Sequence, residues 1–273
     1  MQNIKVGLVQ LNTHQDVDVN YENYKNYLNI ACEKGADFIA TPEVSNLITN
    51  DHDARLKHAA FDENDRFISF AKQLARSKHL HILIGSLAFR LENAKKCRNR
   101  SFLITPDGNV AAYYDKIHMF DVSINDDEKY KESDFYERGA KSTVNEVAFG
   151  KIGMTICYDV RFPNLYTELA LRGANIITVP SAFTAYTGKK HWEVLLRARA
   201  IETGSFIIAP AQTGKHGVLD RVSYGNSMVV SPSGEVLLNL GLDPGVGVIE
   251  LNLSHAEEYR QKIPNLKNIV NFT

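Results

Sequence analysis

The amino-acid sequence predicts an α/β protein, arranged as a four-layer α-β-β-α sandwich of two similar halves. Short apolar segments rich in β-branched residues alternate with amphipathic helical segments, which favours an α/β fold. The second half of the chain repeats the pattern of the first, and 273 residues suffice for a large shared core. With 44% apolar and 23% charged residues, the composition is that of an ordinary globular protein. We therefore expect a single domain over residues 1–273.

The predicted elements begin with a strand at residues 4–11, followed by a helix from Asn20 to Lys34 and a strand at 37–43. A second helix is predicted from Asp65 to Lys78, and a third at 191–202 has the pattern HWEVLLRARAIE. The remaining apolar segments predict strands at 81–88, 101–105, 109–114, 151–156, 174–179, 205–211, 226–231, 235–240 and 246–251.

Three segments of the first half recur in the second half, in the same order along the chain. The pairs share their apolar pattern, and they are 5–11 with 151–157, 35–43 with 173–181, and 101–114 with 227–240. A duplicated βαβαββ unit carries its helices on one face of each sheet, so the two bare sheet faces bury each other. The repeat therefore predicts the four-layer sandwich, with one core and no linker between the halves.

Charge, cysteine content and motif content exclude several classes of function. A formal net charge of -1 and a pI near 6.8, without a basic tract, predict no nucleic-acid partner. The cysteines Cys32, Cys97 and Cys157 lack metal-like pairing and are odd in number, which predicts free thiols in the reducing cytoplasm and no metal. We also expect no targeting segment, no membrane span and, since both common Gly-rich phosphate motifs are missing, no nucleotide site.

The cysteine at position 157 closes a predicted buried strand, where α/β proteins place their functional sites. The residues that follow it, YDVRFP at 158–163, predict a sharp turn into a helix, with backbone N–H groups beside the sulfur. A nearby ammonium or base would lower the pKa of the thiol and supply a thiolate nucleophile. The alternative is a buried structural cysteine, and we assign no role to Cys32 or Cys97.

An acidic and a basic residue are also candidates. Glu43 follows Thr41 and Pro42 at a strand end, where burial would raise its pKa into the range of a general acid/base; a helix cap or a surface glutamate is the alternative. Lys116 ends a predicted hairpin strand and opens the longest stretch without a predicted element, 117–140. Taken alone, Lys116 fits an edge-strand lysine equally well.

Three motifs resemble the nitrilase superfamily of carbon–nitrogen hydrolases. They are TPE with Glu43, YYDKIHMFDV with Lys116 and GMTICYDVRFPNLY with Cys157, in the order and approximate spacing of that family's Glu-Lys-Cys triad. The resemblance covers nearly the whole chain, and the segments at 180–214 and 221–236 look like the branch that contains deaminated glutathione amidase. The family fold is the same α-β-β-α sandwich.

The resemblance implies a cysteine-dependent amidase that cleaves a small linear amide through a thioester, without metal or cofactor. Glu132 matches the family's second glutamate, which positions Lys116 and the substrate, and the backbone N–H of Tyr158 joins Lys116 as oxyanion donor. The family also implies a homodimer or a higher homo-oligomer. One departure is the C-terminal segment IPNLKNIVN at 263–271, which lacks the basic run of this branch.

The substrate is less well defined by the sequence than the chemistry. Polar candidates for binding a substrate carboxylate are Arg161, His191 and Arg197, with Phe183 and Tyr186 lining the pocket. A structural ion pair is the alternative for Arg197, and capping or packing for His191. The resemblance favours deaminated glutathione first and α-ketoglutaramate, the substrate of an omega-amidase, second. A carbamoylase, an acyltransferase and a non-catalytic scaffold stay open.

Overall fold

The computed structural model describes residues 3–62, 64–123, 129–219 and 221–270 of the chain. Within these ranges two six-stranded sheets pack face to face, and helices cover the outer face of each sheet. This is the predicted four-layer α-β-β-α sandwich, so the fold class is confirmed.

The first sheet is built from the N-terminal half and one C-terminal strand. Its strands are β1 (Asn3–Gln10), β2 (Phe38–Ala40), β3 (His81–Phe89), β4 (Arg98–Ile104), β5 (Val110–Asp115) and β16 (Gly245–Asn252). Their order across the sheet is β16-β1-β2-β3-β4-β5. Strands β1 to β3 run parallel, whereas β16, β4 and β5 pair antiparallel with their neighbours.

The second sheet repeats this plan. Its strands are β8 (Thr143–Val147), β9 (Gly150–Met154), β10 (Ile176–Thr178), β11 (Phe206–Ala209), β14 (Met228–Val230) and β15 (Val236–Asn239). Their order is β8-β9-β10-β11-β14-β15, again with three parallel strands followed by two antiparallel ones. Strand order and strand direction therefore match the first sheet position by position, and the predicted duplication is confirmed.

A core between the sheets holds the two halves together. Side chains alternate across each strand, so Ile4, Val6 and Leu8 of β1 pack against the second sheet. Val9 and Leu11 point to the opposite face and pack under the helices. Residues of both halves thus share one apolar core, which supports the prediction of a single domain.

Helices form the two outer layers. They are α1 (Val17–Glu33), α2 (His52–His58), α3 (Arg66–Lys78), α4 (Pro163–Leu171), α5 (Ala185–Thr203) and α6 (Ser254–Lys262). The helices α1 and α3 cover the first sheet, and α4 and α5 cover the second. The first helix begins three residues before the predicted Asn20 because the Asp16 carboxylate caps it, accepting the N–H groups of Asp18 and Val19. None of the helices in the described ranges combines the length and apolar composition of a membrane crossing.

The sequence prediction missed two short hairpins. The stretch 117–140 contains one of β6 (Asp121–Ser123) and β7 (Lys129–Lys131), although its residues 124–128 lie outside the described ranges. The other pairs β12 (Thr213–Lys215) with β13 (Val222–Tyr224). The strands β2, β10 and β14 are equally short but lie in apolar runs that predicted them, whereas the hairpin strands contain too few apolar residues to form such a run.

Candidate active site

The cysteine lies at a strained turn after β9. Cys157 starts a short 3-10 helix, Cys157–Arg161, and its φ of 49° falls in the left-handed region that non-glycine residues rarely adopt. The N–H of Cys157 donates to Pro180 O at 2.9 Å, which fixes the turn against the end of β10. The next N–H, that of Tyr158, makes no hydrogen bond within the described part of the chain. It is therefore free to donate to an oxygen beside the sulfur.

A buried carboxylate anchors this turn to the strand end that carries Lys116. Asp159 accepts the N–H of Ile156 at 2.9 Å and the hydroxyl of Tyr114 at 2.7 Å through Oδ2. Its Oδ1 accepts the N–H of His118 at 3.1 Å and lies 2.7 Å from the His118 Nδ1 atom. Tyr114 and His118 flank Lys116, so Asp159 sets the position of the lysine relative to the cysteine.

The glutamate follows β2 and is almost fully buried. Glu43 Oε1 accepts from Asn99 Nδ2 at 2.8 Å, and Oε2 accepts the N–H of Ala182 at 2.7 Å. The Cys157 side chain lies close enough to the same carboxylate for each group to shift the pKa of the other. Directly after Glu43, Val44 has a φ of 47°, a strained value for a β-branched residue. Strained backbone thus occurs at both the glutamate and the cysteine.

The lysine bridges two carboxylates. Lys116 Nζ lies 2.9 Å from Glu43 Oε1 and within 2.9 Å of both Glu132 oxygens. Glu132 is held in turn by the N–H of Phe120, at 2.7 Å, and by Asn99 Nδ2, at 3.2 Å. The Lys116 side chain is only 2% exposed, so this network is formed away from water. The resemblance implied that Glu132 positions Lys116, and the geometry fits that role.

The pKa values of this cluster differ from the sequence prediction. Burial alone would raise the pKa of Glu43, but the charge and hydrogen bond of Lys116 outweigh it and hold this pKa below its usual value. Burial and the charge of Glu43 raise the pKa of the Cys157 thiol, and Lys116 offsets them only in part. The expected raised pKa at Glu43 and lowered pKa at Cys157 are therefore wrong. The resting pair is a carboxylate and a neutral thiol, with Lys116 protonated because both glutamates raise its pKa well above normal.

A partly open cavity of about 110 Å³ is lined by these groups. Aromatic rings form much of its wall, contributed by Phe120, Tyr130, Phe135, Tyr136, Tyr158 and Phe183. Its charged residues are Glu43, Lys116, Lys131, Glu132, Arg55 and Arg221. The cavity can therefore hold a small polar molecule against the cysteine, with apolar walls and a few charged contacts. The described part of the chain brings no three His, Cys, Asp or Glu side chains together as potential metal ligands.

Two of the remaining sequence candidates line the cavity, and two lie just behind it. Tyr158 and Phe183 contribute to the wall. Arg161 does not: its guanidinium lies over the rings of Tyr158 and Phe183, at 5.8 and 5.2 Å, and its Nη2 is 3.3 Å from His191 Nδ1. Arg161 and His191 thus pair with each other behind the aromatic wall.

The structure does not bring the other two candidates to the cavity. Arg197 donates to Gly234 O at 2.8 Å and pairs with Glu193 at 3.3 Å, on the exposed side of α5. This is the structural ion pair that was its alternative. Tyr186 is 52% exposed, with the Lys190 ammonium 4.7 Å from its ring centre.

Sequence reasoning missed three polar residues of the cavity. Asn99 lies on β4 and bonds both Glu43 and Glu132, while its own Oδ1 is buried without a partner. Arg55 and Arg221 line the wall from α2 and from the start of β13. Each of these three residues has mainly polar neighbours in the sequence, as surface residues do, so no local pattern identified it. For Arg221, its place as the first residue of the recognised segment 221–236 was the one available signal.

Comparison with known proteins agrees with this geometry. Residues 5–261 match the family described as carbon-nitrogen hydrolase. A deaminated glutathione amidase of Synechocystis sp. is 36% identical over 265 residues, which cover 96% of each chain. One from Yersinia enterocolitica is 39% identical, covering 87% of this chain and 82% of the relative.

A solved structure confirms the fold. The crystal structure of the Caenorhabditis elegans NitFhit protein superposes with a TM-score of 0.91 and 32% identity over 98% of this chain. The chain spans 65% of that longer protein. From the family match and these relatives, the chain belongs to the carbon–nitrogen hydrolases of the nitrilase superfamily and is an amidase acting on carbon–nitrogen bonds.

Proposed function

We propose that this amidase is a cysteine hydrolase of small linear amides. Cys157 is the nucleophile, Glu43 the general base and acid, and Lys116 an oxyanion donor. The observation that carries the proposal is that Glu43 bonds Lys116 directly and lies beside Cys157, with all three side chains lining one cavity. A nucleophile, its base and a cationic donor within direct hydrogen-bond reach are the groups that acyl transfer requires.

The first step is attack on the amide carbonyl. Ionised Glu43 takes the thiol proton of Cys157 as the sulfur bonds the carbonyl carbon, so no free thiolate accumulates beforehand. The developing oxyanion accepts hydrogen bonds from the free N–H of Tyr158 and from Lys116. Because two of the Lys116 contacts go to one carboxylate, Glu132, the ammonium can exchange one of them for the oxyanion.

The second step releases the amine. Protonated Glu43 donates its proton to the amide nitrogen, the carbon–nitrogen bond breaks, and a thioester remains on Cys157. The carboxylate of Glu43 then removes a proton from water, which attacks the thioester. The acid leaves, and the thiol and carboxylate are restored. In this cycle Glu132 keeps Lys116 in place without exchanging a proton.

Deaminated glutathione is our first choice of substrate. The names of the relatives from Synechocystis sp. and Yersinia enterocolitica support it. The cavity also combines aromatic walls with cationic side chains, which suits an amide that carries carboxylate groups. The alternatives are an omega-amidase acting on α-ketoglutaramate, a carbamoylase, and a scaffold of the same fold without activity.

A substrate panel tests this choice. The purified protein is offered deaminated glutathione, α-ketoglutaramate, carbamoylated amines and nitriles, and amine or ammonia release is followed. We expect the highest kcat/KM for deaminated glutathione. A preference for α-ketoglutaramate or for a carbamoylated amine would replace our first choice.

Alkylation separates an enzyme from a scaffold. Because Glu43 can take the thiol proton during alkylation as it does in the proposed catalysis, iodoacetamide should label Cys157 stoichiometrically and abolish activity, and substrate should block the reaction. Cys97→Ala is the matched control, since Cys97 is equally buried but lies outside the cavity wall. Failure to label Cys157, together with no turnover of any amide, would favour the scaffold.

We further propose that the chain acts in the cytoplasm as a homodimer or higher oligomer. All three cysteines are free thiols, which suits a reducing compartment. Apolar side chains on the outer helices are exposed, among them Leu171 at 57%, Val194 at 67% and Ile201 at 41%. Size-exclusion chromatography with light scattering tests the assembly, and a monomer at micromolar concentration would contradict it.

A further inference from the structure

Two arginines of the cavity wall have no carboxylate partner. Arg55 comes from α2 in the first half and Arg221 from the start of β13 in the second half. Neither forms an ion pair with any described residue. By contrast, Lys116 in the same cavity is paired with both Glu43 and Glu132.

The guanidinium of Arg55 is enclosed and only partly satisfied. The residue is only 6% exposed. Its guanidinium carbon lies 4.3 Å from the ring centre of Phe135 and 5.2 Å from that of Tyr136. Its Nη2 donates to the carbonyl oxygen of Thr49. Its Nη1 is buried and has no hydrogen-bond partner. Buried N–H donors are rarely left without a hydrogen-bond partner in folded proteins.

Arg221 is only half-buried, but its guanidinium also has an unsatisfied nitrogen, and its charge acts on Glu43. Its Nη2 donates to Ala182 O at 2.8 Å, and the N–H of the same Ala182 donates to Glu43. Its Nε is buried and has no hydrogen-bond partner. The ring centre of Tyr130 is 5.6 Å away. The positive charge of Arg221 is near enough to help lower the pKa of Glu43.

Two other arginines that are largely removed from water have carboxylate partners. Arg199 is 5% exposed and pairs with Glu202 at 2.7 Å, and the half-buried Arg100 forms a two-point bridge to Asp115 at 2.6 and 2.9 Å. The half-buried Arg260 has no carboxylate partner among the described residues, but its N–H groups donate to Thr203 O, Ala174 O and Ser205 Oγ. A buried charge without a partner is costly, because it has lost hydration without gaining an ion pair. Within the described part of the chain, Arg55 and Arg221 have no carboxylate partner, and each keeps one buried nitrogen without a hydrogen bond, so a ligand can supply the missing anion.

We propose that Arg55 and Arg221 each bind one carboxylate of the substrate, so that the preferred amide carries two carboxylates. Arginine suits this role because its planar fork matches a carboxylate at two points. The inference rests on the proposed amidase site and narrows its substrate class. Deaminated glutathione fits, with one carboxylate on its acyl part and another on the departing dipeptide. α-Ketoglutaramate fits less well, since ammonia leaves from it without a second carboxylate.

Kinetics on matched substrates test this assignment. The wild-type enzyme, Arg55→Met and Arg221→Met are assayed on deaminated glutathione and on its two monomethyl esters, one at each carboxylate. Each variant should lose about 10- to 100-fold in kcat/KM on the diacid, mainly through KM, because one charge-assisted hydrogen-bond pair is removed. On the ester that lacks the matching carboxylate, the same variant should lose less than about 3-fold. Arg172→Met, at an exposed arginine that bonds Ser142, is the control and should match the wild type on all three substrates.

Equal losses on the diacid and on both esters would mean that the arginines only support the fold, and this would overturn the inference. Binding gives a second measurement without turnover: calorimetry of the diacid and its two esters with Cys157→Ala, alone and combined with each arginine variant. Arg55→Lys and Arg221→Lys keep the charge and should recover part of the affinity.

The proposed function and this inference fail differently. If the wild-type enzyme cleaves neutral amides as fast as the diacid, the arginine assignment fails and the cysteine amidase stands. If no amide is cleaved but the diacid binds in an arginine-dependent manner, the catalytic proposal fails and the assignment stands.

Discussion

The two halves of the molecule have the same strand order, but each supplies a different part of the candidate site. After β1 the first half has Leu11, and at the equivalent position after β9 the second half has Cys157. After β2 the first half has Glu43, and after β10 the second half has Ser181. The duplication therefore gives two pairs of equivalent positions. The polar cluster contains one residue of each pair, Cys157 from the second half and Glu43 from the first.

Backbone strain follows the same division. Positive φ values occur at Cys157 and at Val44, directly after Glu43. Among the described residues, the equivalents Leu11, Ser181 and Ala182 have ordinary backbone angles. Ser181 instead donates its hydroxyl to Val179 O at 3.0 Å and serves the local turn. Of these equivalent positions, only those at Cys157 and beside Glu43 are strained, which suggests that the strain helps to present the two side chains.

The largest effect is expected from moving the nucleophile to the other half. Cys157→Ala should reduce kcat by about 10,000-fold or more, as removal of a nucleophile does in other hydrolases. The double variant Leu11→Cys/Cys157→Ala should remain as inactive, because Leu11 packs under the helices, away from Glu43 and Lys116. Amide turnover by both variants is the measurement, with Cys97→Ala as the active control. Recovery of activity in the double variant would mean that the halves are interchangeable.

The second-largest effect is expected from loss of the lysine, which should lower both activity and stability. Lys116→Met removes an oxyanion donor, so kcat should fall by about 100-fold or more. It also leaves Glu43 and Glu132 buried together without a cation, which should cost about 3–5 kcal/mol of unfolding free energy at pH 7.

The pH dependence of this loss has a defined sign. In Lys116→Met, burial and mutual repulsion should raise the pKa of Glu43 above its unfolded value, so the variant should gain stability as the pH falls towards 4.5. Urea unfolding at several pH values checks this. A variant that loses stability on acidification would show that Lys116 does not control the ionisation of Glu43.

The wild-type enzyme should show the opposite sign. Its Glu43 has a pKa below 4.5, so this carboxylate contributes stability above pH 4.5 that is lost as the pH falls through the lowered pKa. Because Glu43 must be ionised to accept the thiol proton, the acid limb of kcat/KM should also lie below pH 4.5. Asn99→Leu removes a hydrogen bond from Glu43 and should move the limb towards neutral pH. Fluorescence of the single tryptophan, Trp192, controls for unfolding.

These differences show which features could be predicted from the sequence. The strands β1, β3 and β9 contain apolar runs, which predict buried strands without knowledge of the rest of the fold. The internal repeat then predicted that two such sheets pack into a sandwich. Short polar strands such as β6 and its hairpin partner β7 left no local pattern. Glu43, Lys116 and Cys157 were named because strand ends and family motifs are local features.

The errors have one physical cause. Burial of Glu43 was foreseen, but the sign of its pKa shift depends on an ammonium 2.9 Å away, which comes from a residue 73 positions later in the chain. Arg161 was chosen as a carboxylate ligand from its position near Cys157, yet it pairs with His191 behind the wall. Arg55 and Arg221 reach the cavity only through the assembled fold. These pKa shifts and contacts depend on residues that are far apart in the chain, so they could not be predicted from local sequence patterns.

The smallest effect is expected at the position equivalent to the glutamate in the other half. Ser181→Ala removes one buried hydroxyl that bonds Val179 O, which should cost about 1 kcal/mol of unfolding free energy. Turnover should change by less than about 3-fold, because the N–H of Ala182 still reaches Glu43. Urea unfolding and kcat/KM measured on the same preparation check both parts. A large loss of turnover with unchanged stability would instead show that Ser181 takes part in catalysis. Both equivalent positions, Glu43 and Ser181, would then contribute to the site.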